Sequence, residues 1–433
     1  MIPSLRQVAT ALPACRKRLL GKQWHRMTRN QSSFSNTAPT VVEKAILDSI
    51  KAMGPLPFAT YMQQCLSHPT HGYYMNPSNP VFGARGDFIT SPEISQVFGE
   101  LIAIWFLSQW VAAGQPSSIR LVELGPGRGT LMADILRVIS KIPSAKAVQR
   151  KSVQLVETSP AMRRAQENTL QKFADEHGWE LQWNNSIEDI PPETDDYTIL
   201  VAHEFFDALP IHIVEKTQKG WQELLVASAS DGKSSIATSP RLKAVLSPEP
   251  SPVSSLLGMS SQRFSKLPIG TRIEVSPSSF KISRRIGELI AGSSAGGSAL
   301  VIDYGEDKVF NNSFRAFKDH KIVDIFHRPG ECDLTSNVDF AYLKDIVSPE
   351  LLAVPHGPMS QANFLKGMGI DMRVDALVKA ASTEERQKVI RDAALRLADP
   401  VGMGKEYQVL GITSKPTSED GSPGVWPFVA SPP

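Results

Sequence analysis

The sequence predicts an α/β fold built on a doubly wound, mainly parallel sheet, and three observations carry that prediction. An apolar run from Ile119 to Leu124 breaks at Gly125, Gly127 and Gly129, then resumes at helical spacing through Leu131, Ile135, Leu136 and Ile139. A second apolar strand, Ser152 to Glu157, follows it and ends in a carboxylate. Further short strands at Leu181–Trp183 and Tyr197–Ala202 alternate with helical stretches at 131–141 and 160–173, which is the βαβα pattern of a parallel sheet with helices on both faces. In such a sheet, ligands sit at the carboxyl ends of the strands.

Glycines at the first turn let the backbone take positive φ and let a ligand approach the main chain, while the new helix offers free N–H groups and the positive end of its dipole. A nucleotide-like cofactor suits that place. A dinucleotide fingerprint G-x-G-x-x-G needs Gly at 130, where this chain has Thr130. Glu123 with Gly125, Gly127 and Gly129 instead resembles the first motif of S-adenosylmethionine-dependent methyltransferases; a plain strand-to-helix turn is the alternative reading. Glu157 stands where a doubly wound sheet places the acid that binds ribose hydroxyls, unless it is a solvated strand-end charge. Asn185, Ser186 and Ile187 follow the third strand, where an adenine ring would lie.

Composition sets the bounds. At 433 residues, with 41% hydrophobic and 21% charged residues, the chain is globular in make-up and can bury a large core. No apolar run approaches a membrane span, and a formal charge of +2 gives no support for nucleic-acid binding. No Asp or Glu precedes Glu43, while Arg6, Arg16, Lys17, Arg18, Lys22, Arg26 and Arg29 punctuate the leader. Residues 1–38 therefore read as a mitochondrial transit peptide, with a basic tail as the alternative. Cys15, Cys65 and Cys332 form no metal or disulfide pattern, and no metal is expected.

Along the chain, residues 39–114 read as an N-terminal helical and lid segment. Apolar spacing predicts a helix from Val41 to Met53 stopped by Gly54, and a second piece around Ala59 to Leu66. His68 and His71 lack a third ligand at suitable spacing and read as loop residues. Ser91 as N-cap, Pro92 at the first helical position and Glu93 at the dipole's positive end predict a helix reaching Ala113. Capping does not explain the polar run Arg85-Gly86-Asp87-Phe88 upstream, so 83–91 reads as either a lid over the cofactor, with Gly86 touching it, or a simple loop.

The methyltransferase domain is expected over 115–413, with insertions at 227–265 and 306–400. The fourth strand closes in Ala202-His203-Glu204-Phe205-Phe206-Asp207. His203-Glu204 resembles H-E-x-x-H only superficially, because the second His is replaced by Asp207 and the stretch is a strand end. Two carboxylates here, beside aromatic rings, could hold a cationic substrate and the cofactor's amino-acid part; a capping Asp207 and a solvated Glu204 are the bland alternative. Ile211–Glu215 and Trp221–Val226 predict a β-hairpin. Residues 227–265 are Ser-, Pro- and Ala-rich and read as an insertion with a partly mobile tip. A helix is expected at 277–291, a buried strand at Ala299–Gly305, an irregular polar region from Phe314 to Phe340, helices to about Leu397 and a last strand at Tyr407–Ile412. The Pro-, Ser- and Gly-rich tail over 414–433 reads as disordered.

Together, Gly86–Ser95 with Phe98-Gly99-Glu100, Val122–Leu131, His203–Pro210, Asp333-Leu334-Thr335 with Val338-Asp339-Phe340, and Gln361 with Phe364-Leu365 resemble the MidA family over roughly residues 40–413. The resemblance implies a class I S-adenosylmethionine-dependent methyltransferase fold, Rossmann-like, and placement in the mitochondrial matrix. Its mitochondrial members are complex I assembly methyltransferases, which implies symmetric dimethylation of an arginine on the quinone-site matrix-arm subunit of that complex. It also implies cofactor contacts by Glu123, Gly125, Gly127, Gly129, Glu157, Ser186, Ile187, His203 and Gly86. Position 203 is His where bacterial members carry Asn. Placement makes Glu204 the first choice and Asp207 the second for catalysis on a guanidinium. An assembly chaperone that keeps the fold, a small-molecule or lipid methyltransferase and a dinucleotide oxidoreductase are the rivals; self-association into a homodimer is left open.

Overall fold

The computed structural model describes residues 38–76, 89–143, 148–229, 241–347, 353–415 and 424–429. The basic leader, the Gly86 loop and the tip of the 227–265 insertion lie outside them.

At the front, Thr40 caps a helix over Val41–Met53, its Oγ1 accepting from Glu43 N at 3.0 Å, and Gly54 ends it at φ +88°. β1 (Leu56–Pro57) leads into a helix over Phe58–Ser67. The helix expected from Ser91 to Ala113 is two pieces, Ser91–Ile94 and Gln96–Ala112. Ser95, extended at φ −159°, is the cap of the long piece and accepts from Val97 N at 3.2 Å. Ser91 is not a cap: it is buried, its hydroxyl on Gln361 Oε1 at 3.4 Å.

β2 (Ser118–Leu124), β3 (Arg150–Val156), β4 (Glu180–Asn184) and β5 (Tyr197–His203) are parallel, separated by helices over Thr130–Ile139 and Pro160–His177. β6 (His212–Thr217), β7 (Gly220–Ser228), β8 (Leu242–Leu246) and β9 (Arg272–Val275) form an antiparallel sheet with β1, in the order β1-β7-β6-β9 with β8 on β7. The 227–265 insertion therefore holds the end of β7, β8 and helices over Pro252–Gly258 and Gln262–Ser265, more order than its Ser/Pro composition suggests. Short strands with a single buried face carry little periodicity for sequence to show.

After a helix over Pro277–Ala291, β10 (Gly297–Glu306) returns to the parallel sheet beside β5. The region expected to be irregular contains β11 (Arg315–Lys318), β12 (Lys321–Val323) and β13 (Asp333–Thr335), a three-stranded sheet, then β14 (Val338–Asp339) on β10. β15 (Ala353–Ser360) and β16 (Tyr407–Ser414) extend the main sheet antiparallel, and helices over Gln361–Gly367, Ile370–Ala380 and Glu384–Leu397 lie between them.

The main sheet runs β15-β16-β10-β5-β2-β3-β4. Alternation along its strands makes two cores. Ile199 and Val201 face a layer with Phe98, Trp105, Leu131 and Ile135, while Leu200 and Ala202 face Ile286, Leu289 and Phe340. Helix Gln96–Ala112 is apolar nearly all round because it is buried between layers. Its one buried charge, Glu100, is held by Arg373 Nε at 2.7 Å and Arg137 Nη1 at 2.8 Å. The segment 39–114 accordingly does not pack as one unit. Val42, Ile46, Phe58 and Tyr61 pack with Ile213, Leu224 and Leu334 of the antiparallel sheets, whereas Gln96–Ala112 belongs to the parallel sheet.

The tail beyond 414 is ordered over 424–429. Trp105 Nε1 donates to Trp426 O at 2.9 Å, Trp426 Nε1 donates to Gly367 O at 3.0 Å, and the Phe428 ring lies 5.9 Å from that of Phe364. Glycines make this seat. A Cβ on Gly411 would come within 2.7 Å of Phe428, and one on Gly367 within 2.6 Å of Pro427.

Candidate active site

The chain winds outward from β2 through β3 to β4, then crosses back to β5 on the other side of β2. The helix after β2, Thr130–Ile139, packs on one face of the sheet and Pro277–Ala291, which precedes β10, on the other, leaving a crevice at the strands' carboxyl ends. A cavity of about 1250 Å³ fills it, larger than the roughly 300–1,000 Å³ of a single small-molecule pocket, so it has room for a cofactor and the end of a second ligand.

One half is the glycine turn. Gly125, Gly127 and Gly129 take φ of +63°, +52° and +82°, the left-handed values their spacing calls for. A Cβ at Gly125 would also lie 2.9 Å from the Phe205 ring. Glu123, at the end of β2, lines the cavity; burial pushes its carboxyl up to about 8, and its Oε2 has no hydrogen-bond partner among the described residues. Glu157 lies beyond β3, its Oε1 accepting from Ser159 N at 2.7 Å and its Oε2 from Gln166 Nε2 at 3.3 Å. Burial raises its carboxyl while these donors oppose the rise. Gln166 Nε2 also donates to Gly127 O at 2.8 Å, so one buried amide ties the glycine turn to the acid. Nothing in the linear motif singles out Gln166. Ser186 caps a short 3₁₀ turn over Ile187–Asp189, and Ser186 and Ile187 line the same half. Gly86 lies outside the described residues.

The other half is acidic and aromatic. β5 ends at His203, and the chain turns at Glu204 with φ +50°, a conformation a non-glycine residue adopts only when its surroundings hold it. Asp303 holds it. This buried carboxylate on β10 accepts through Oδ2 from the N–H groups of Phe205, Phe206 and Asp207 at 3.1, 2.9 and 3.3 Å, and through Oδ1 from Tyr304 N at 2.9 Å. Burial, then Asp207 and Glu204, push the Asp303 carboxyl well up, and the N–H donors work against them.

Glu204 Oε1 accepts from Tyr407 Oη at 2.6 Å, and Tyr407 Oη lies 2.5 Å from Tyr304 Oη. The two tyrosines meet because Tyr304 and Tyr407 are directly paired across β10 and β16. Burial pushes the Glu204 carboxyl up to about 8, the Tyr407 hydroxyl lowers it, and Asp207, Asp333 and Glu93 raise it further. Asp207 Oδ2 accepts from Thr335 Oγ1 at 2.7 Å; burial raises its carboxyl, with Arg315 among the opposing groups. Asp333 Oδ1 accepts from Tyr74 Oη at 2.8 Å. His203 is buried and pushed down to about 3, hence neutral. Its Nε2, without a hydrogen-bond partner among the described residues, is 3.6 Å from Glu204 Oε1, and its ring stacks on Tyr407 at 6.2 Å between centroids.

Within the described chain every expected site residue except Gly129 lines this one cavity; Gly129 backs the turn, where a Cβ would lie 3.4 Å from Leu170. Sequence reasoning missed Asp303, Tyr304, Tyr407 and Arg315. Asp333 and Thr335 were visible as one of the family motifs and as part of the polar region 314–340, of which His327 to Cys332 do not line the cavity.

Residues 101–359 match the family model described as a putative S-adenosyl-L-methionine-dependent methyltransferase. The chain belongs to this methyltransferase family. It is 37% identical to protein arginine methyltransferase NDUFAF7, mitochondrial, of Danio rerio over 90% of each chain, and 36% identical to that of Homo sapiens over 86% of this chain and 83% of the relative. It also resembles a Burkholderia thailandensis protein crystallised with S-adenosylhomocysteine, at a TM-score of 0.69, 22% identity, and coverage of 88% of this chain and 95% of that one. At that identity the likeness concerns the fold. The expected class I methyltransferase fold and its cofactor thus stand: the family uses S-adenosylmethionine. The residues of this methyltransferase fit that group, since left-handed glycines open one wall and the partnerless Glu123 Oε2 suits an ammonium. Among the described residues no cluster of His, Cys, Asp and Glu could hold a metal, and no helix is long and apolar enough to cross a membrane.

Proposed function

We propose that the chain is a protein arginine N-methyltransferase of the mitochondrial matrix. Its product would be symmetric dimethylarginine on the quinone-site matrix-arm subunit of complex I, in support of that complex's assembly. The names of the relatives support protein arginine methylation and a mitochondrial setting. The observation that carries the reading is the convergence of Glu204, Asp207 and Asp333 with Tyr304 in the cavity that holds the glycine turn. Acids beside aromatic faces make a cation hole.

Glu123, Gly125, Gly127, Gly129, Glu157, Ser186, Ile187 and His203 hold the cofactor in this reading, and Glu204 and Asp207 hold the substrate. S-adenosylmethionine supplies an electrophilic methyl group on sulfonium; as the nitrogen–carbon bond forms, the carbon–sulfur bond breaks with its electron pair left on sulfur. A free guanidinium is always protonated and its nitrogens are poor nucleophiles. Glu204, largely neutral in the empty site, ionises as a guanidinium arrives, because an opposite charge at contact distance favours the carboxylate. The pair of acids then draws the positive charge to the nitrogens it touches and aligns the remaining one. Glu204 accepts the N–H proton released by the transfer.

The test is methyl transfer from labelled S-adenosylmethionine to the purified quinone-site subunit, with a Gly127→Val control. Label recovered as symmetric dimethylarginine, and lost in the control, is the expected result. Cofactor binding without label on the unassembled subunit would overturn the reading in favour of a chaperone.

A further inference from the structure

The N–H proton that reaches Glu204 has to leave before a second turnover, and the substrate that delivers it covers the carboxylate's open side. The Glu204 side chain is only 14% exposed. Among the described residues its one hydrogen bond is to Tyr407 Oη, which is itself buried and in contact with Tyr304 Oη. Tyr304 is half-buried and lines the cavity, whereas Tyr407 does not. The three oxygens form a single file that leaves the buried carboxylate, passes behind the cavity wall at Tyr407 and returns to it at Tyr304.

Building on the proposed role of Glu204, we propose that Tyr407 and Tyr304 are the proton exit of this methyltransferase, carrying the proton from Glu204 back to solvent while substrate occupies the acid pocket. The steps balance. Protonated Glu204 gives its proton to Tyr407 Oη, Tyr407 gives its own hydroxyl proton to Tyr304 Oη, and Tyr304 releases its proton to solvent. Each tyrosine ends as a neutral phenol and Glu204 as a carboxylate, with one proton released per methyl transferred. A hydroxyl can serve here because it donates and accepts at the same oxygen.

The spacing suits the task. Contacts of 2.6 and 2.5 Å are at the short end for O–H···O pairs, and the cross-strand pairing of positions 304 and 407 fixes both rings. Arg315 lies over the Tyr304 ring, 5.9 Å from its centroid, and is tied to Asn337 Oδ1 at 2.6 Å. A fixed positive charge beside Tyr304 keeps an excess proton from resting there. Tyr407 acts through Glu204 and not on the substrate, and Tyr304→Phe keeps the aromatic face that the substrate meets, so loss of either hydroxyl should slow turnover without weakening binding.

The experiment uses the full chain as Tyr407→Phe, Tyr304→Phe and Glu204→Gln enzymes, read by steady-state methylation of the substrate subunit across pH and by S-adenosylhomocysteine binding. The groups facing Glu204 are Tyr407 on β16, Tyr304 and Asp303 on β10, Asp333 on β13, Arg315 on β11, Glu93 on helix Ser91–Ile94, and its chain neighbours His203 and Asp207. Measured above the acid limb, Tyr407→Phe is expected to lower kcat about 10²-fold, the low end for positioned proton transfer, with KM and cofactor affinity little changed. It should also move the acid limb of kcat/KM to higher pH, because the Tyr407 hydroxyl favours the ionised form of Glu204. Tyr304→Phe should lower kcat and leave that limb in place. Wild-type kcat in both tyrosine variants, with Glu204→Gln inactive, overturns the exit alone. Full activity in Glu204→Gln, or a wild-type enzyme that does not methylate, overturns the site reading and the exit with it. Should Tyr407→Phe fail to fold, Tyr304→Phe decides the question: unchanged kcat overturns the proposal.

Discussion

The two ends of the cavity are made in opposite ways. At the cofactor end, Glu123, Gly125, Gly127 and Gly129 come from one continuous strand, turn and helix, and their geometry follows from local backbone rules. At the substrate end, Glu204, Asp303, Thr335 and Tyr407 come from four segments spread over almost half the chain. A local site fails when its own residues change. An assembled site fails when any element supporting it moves.

The largest expected effect tests the local end. Gly127→Val puts a β-branched side chain at φ +52°, where none sits without strain. We expect cofactor affinity to fall by more than about 10²-fold, measured by calorimetry with S-adenosylhomocysteine, as the main chain can no longer take the ligand. Near wild-type affinity would mean that the cofactor does not use this turn. Next comes the assembled end. Glu204→Gln keeps the shape and removes the charge, and should lower kcat by roughly 10²–10⁴-fold while leaving cofactor binding intact. Loss of cofactor binding along with activity would show that the two ends are not separable.

How much of this could be read beforehand follows the same division. Glycine spacing, the acid closing β3 and the Ser186–Ile187 turn are short-range signals, and each names its residues. Asp303 and Tyr304 were visible only as the polar end of a buried strand. Their meaning depends on β10 lying beside β5 and β16, a pairing no local pattern specifies. The tail misled for a related reason: Pro, Ser and Gly around Trp426 and Phe428 look like disorder until Gly367 and Gly411, far away in sequence, provide a seat.

That seat gives a third, smaller test, on stability. Ending the chain after residue 415 removes the Trp426 indole bond to Gly367 O and the Phe428 packing against the helix of Trp105 and against β15 and β16. We expect a loss of about 2–4 kcal/mol in urea unfolding, since aromatic packing and two indole hydrogen bonds disappear together. Cofactor affinity should be unchanged, because the seat lies away from the glycine turn. A truncation that unfolds like wild type would return the tail to the status its composition suggested.

The smallest effect concerns charge within the assembled end. Glu204 must be ionised to hold a guanidinium, and in the empty site its carboxyl is pushed up to about 8. Protonation therefore blocks substrate binding at lower pH, and kcat/KM should rise with pH up to about 8 before levelling. Burial is the main cause of that high value, with Asp207 the first of the like charges that add to it. Asp207→Asn removes one such charge, favours the Glu204 carboxylate and moves the limb to lower pH. The expected shift of the limb is less than about one unit; Asp207 also holds the substrate in this reading, so the plateau of kcat/KM falls as well, and it is the limb's position that reports on Glu204. Tyr407→Phe should move the same limb the other way, so opposite displacements by two neighbours would mark Glu204 as the titrating group. If both variants leave the limb where it is, the group that titrates is not Glu204, and Asp333 becomes the carboxylate to replace next.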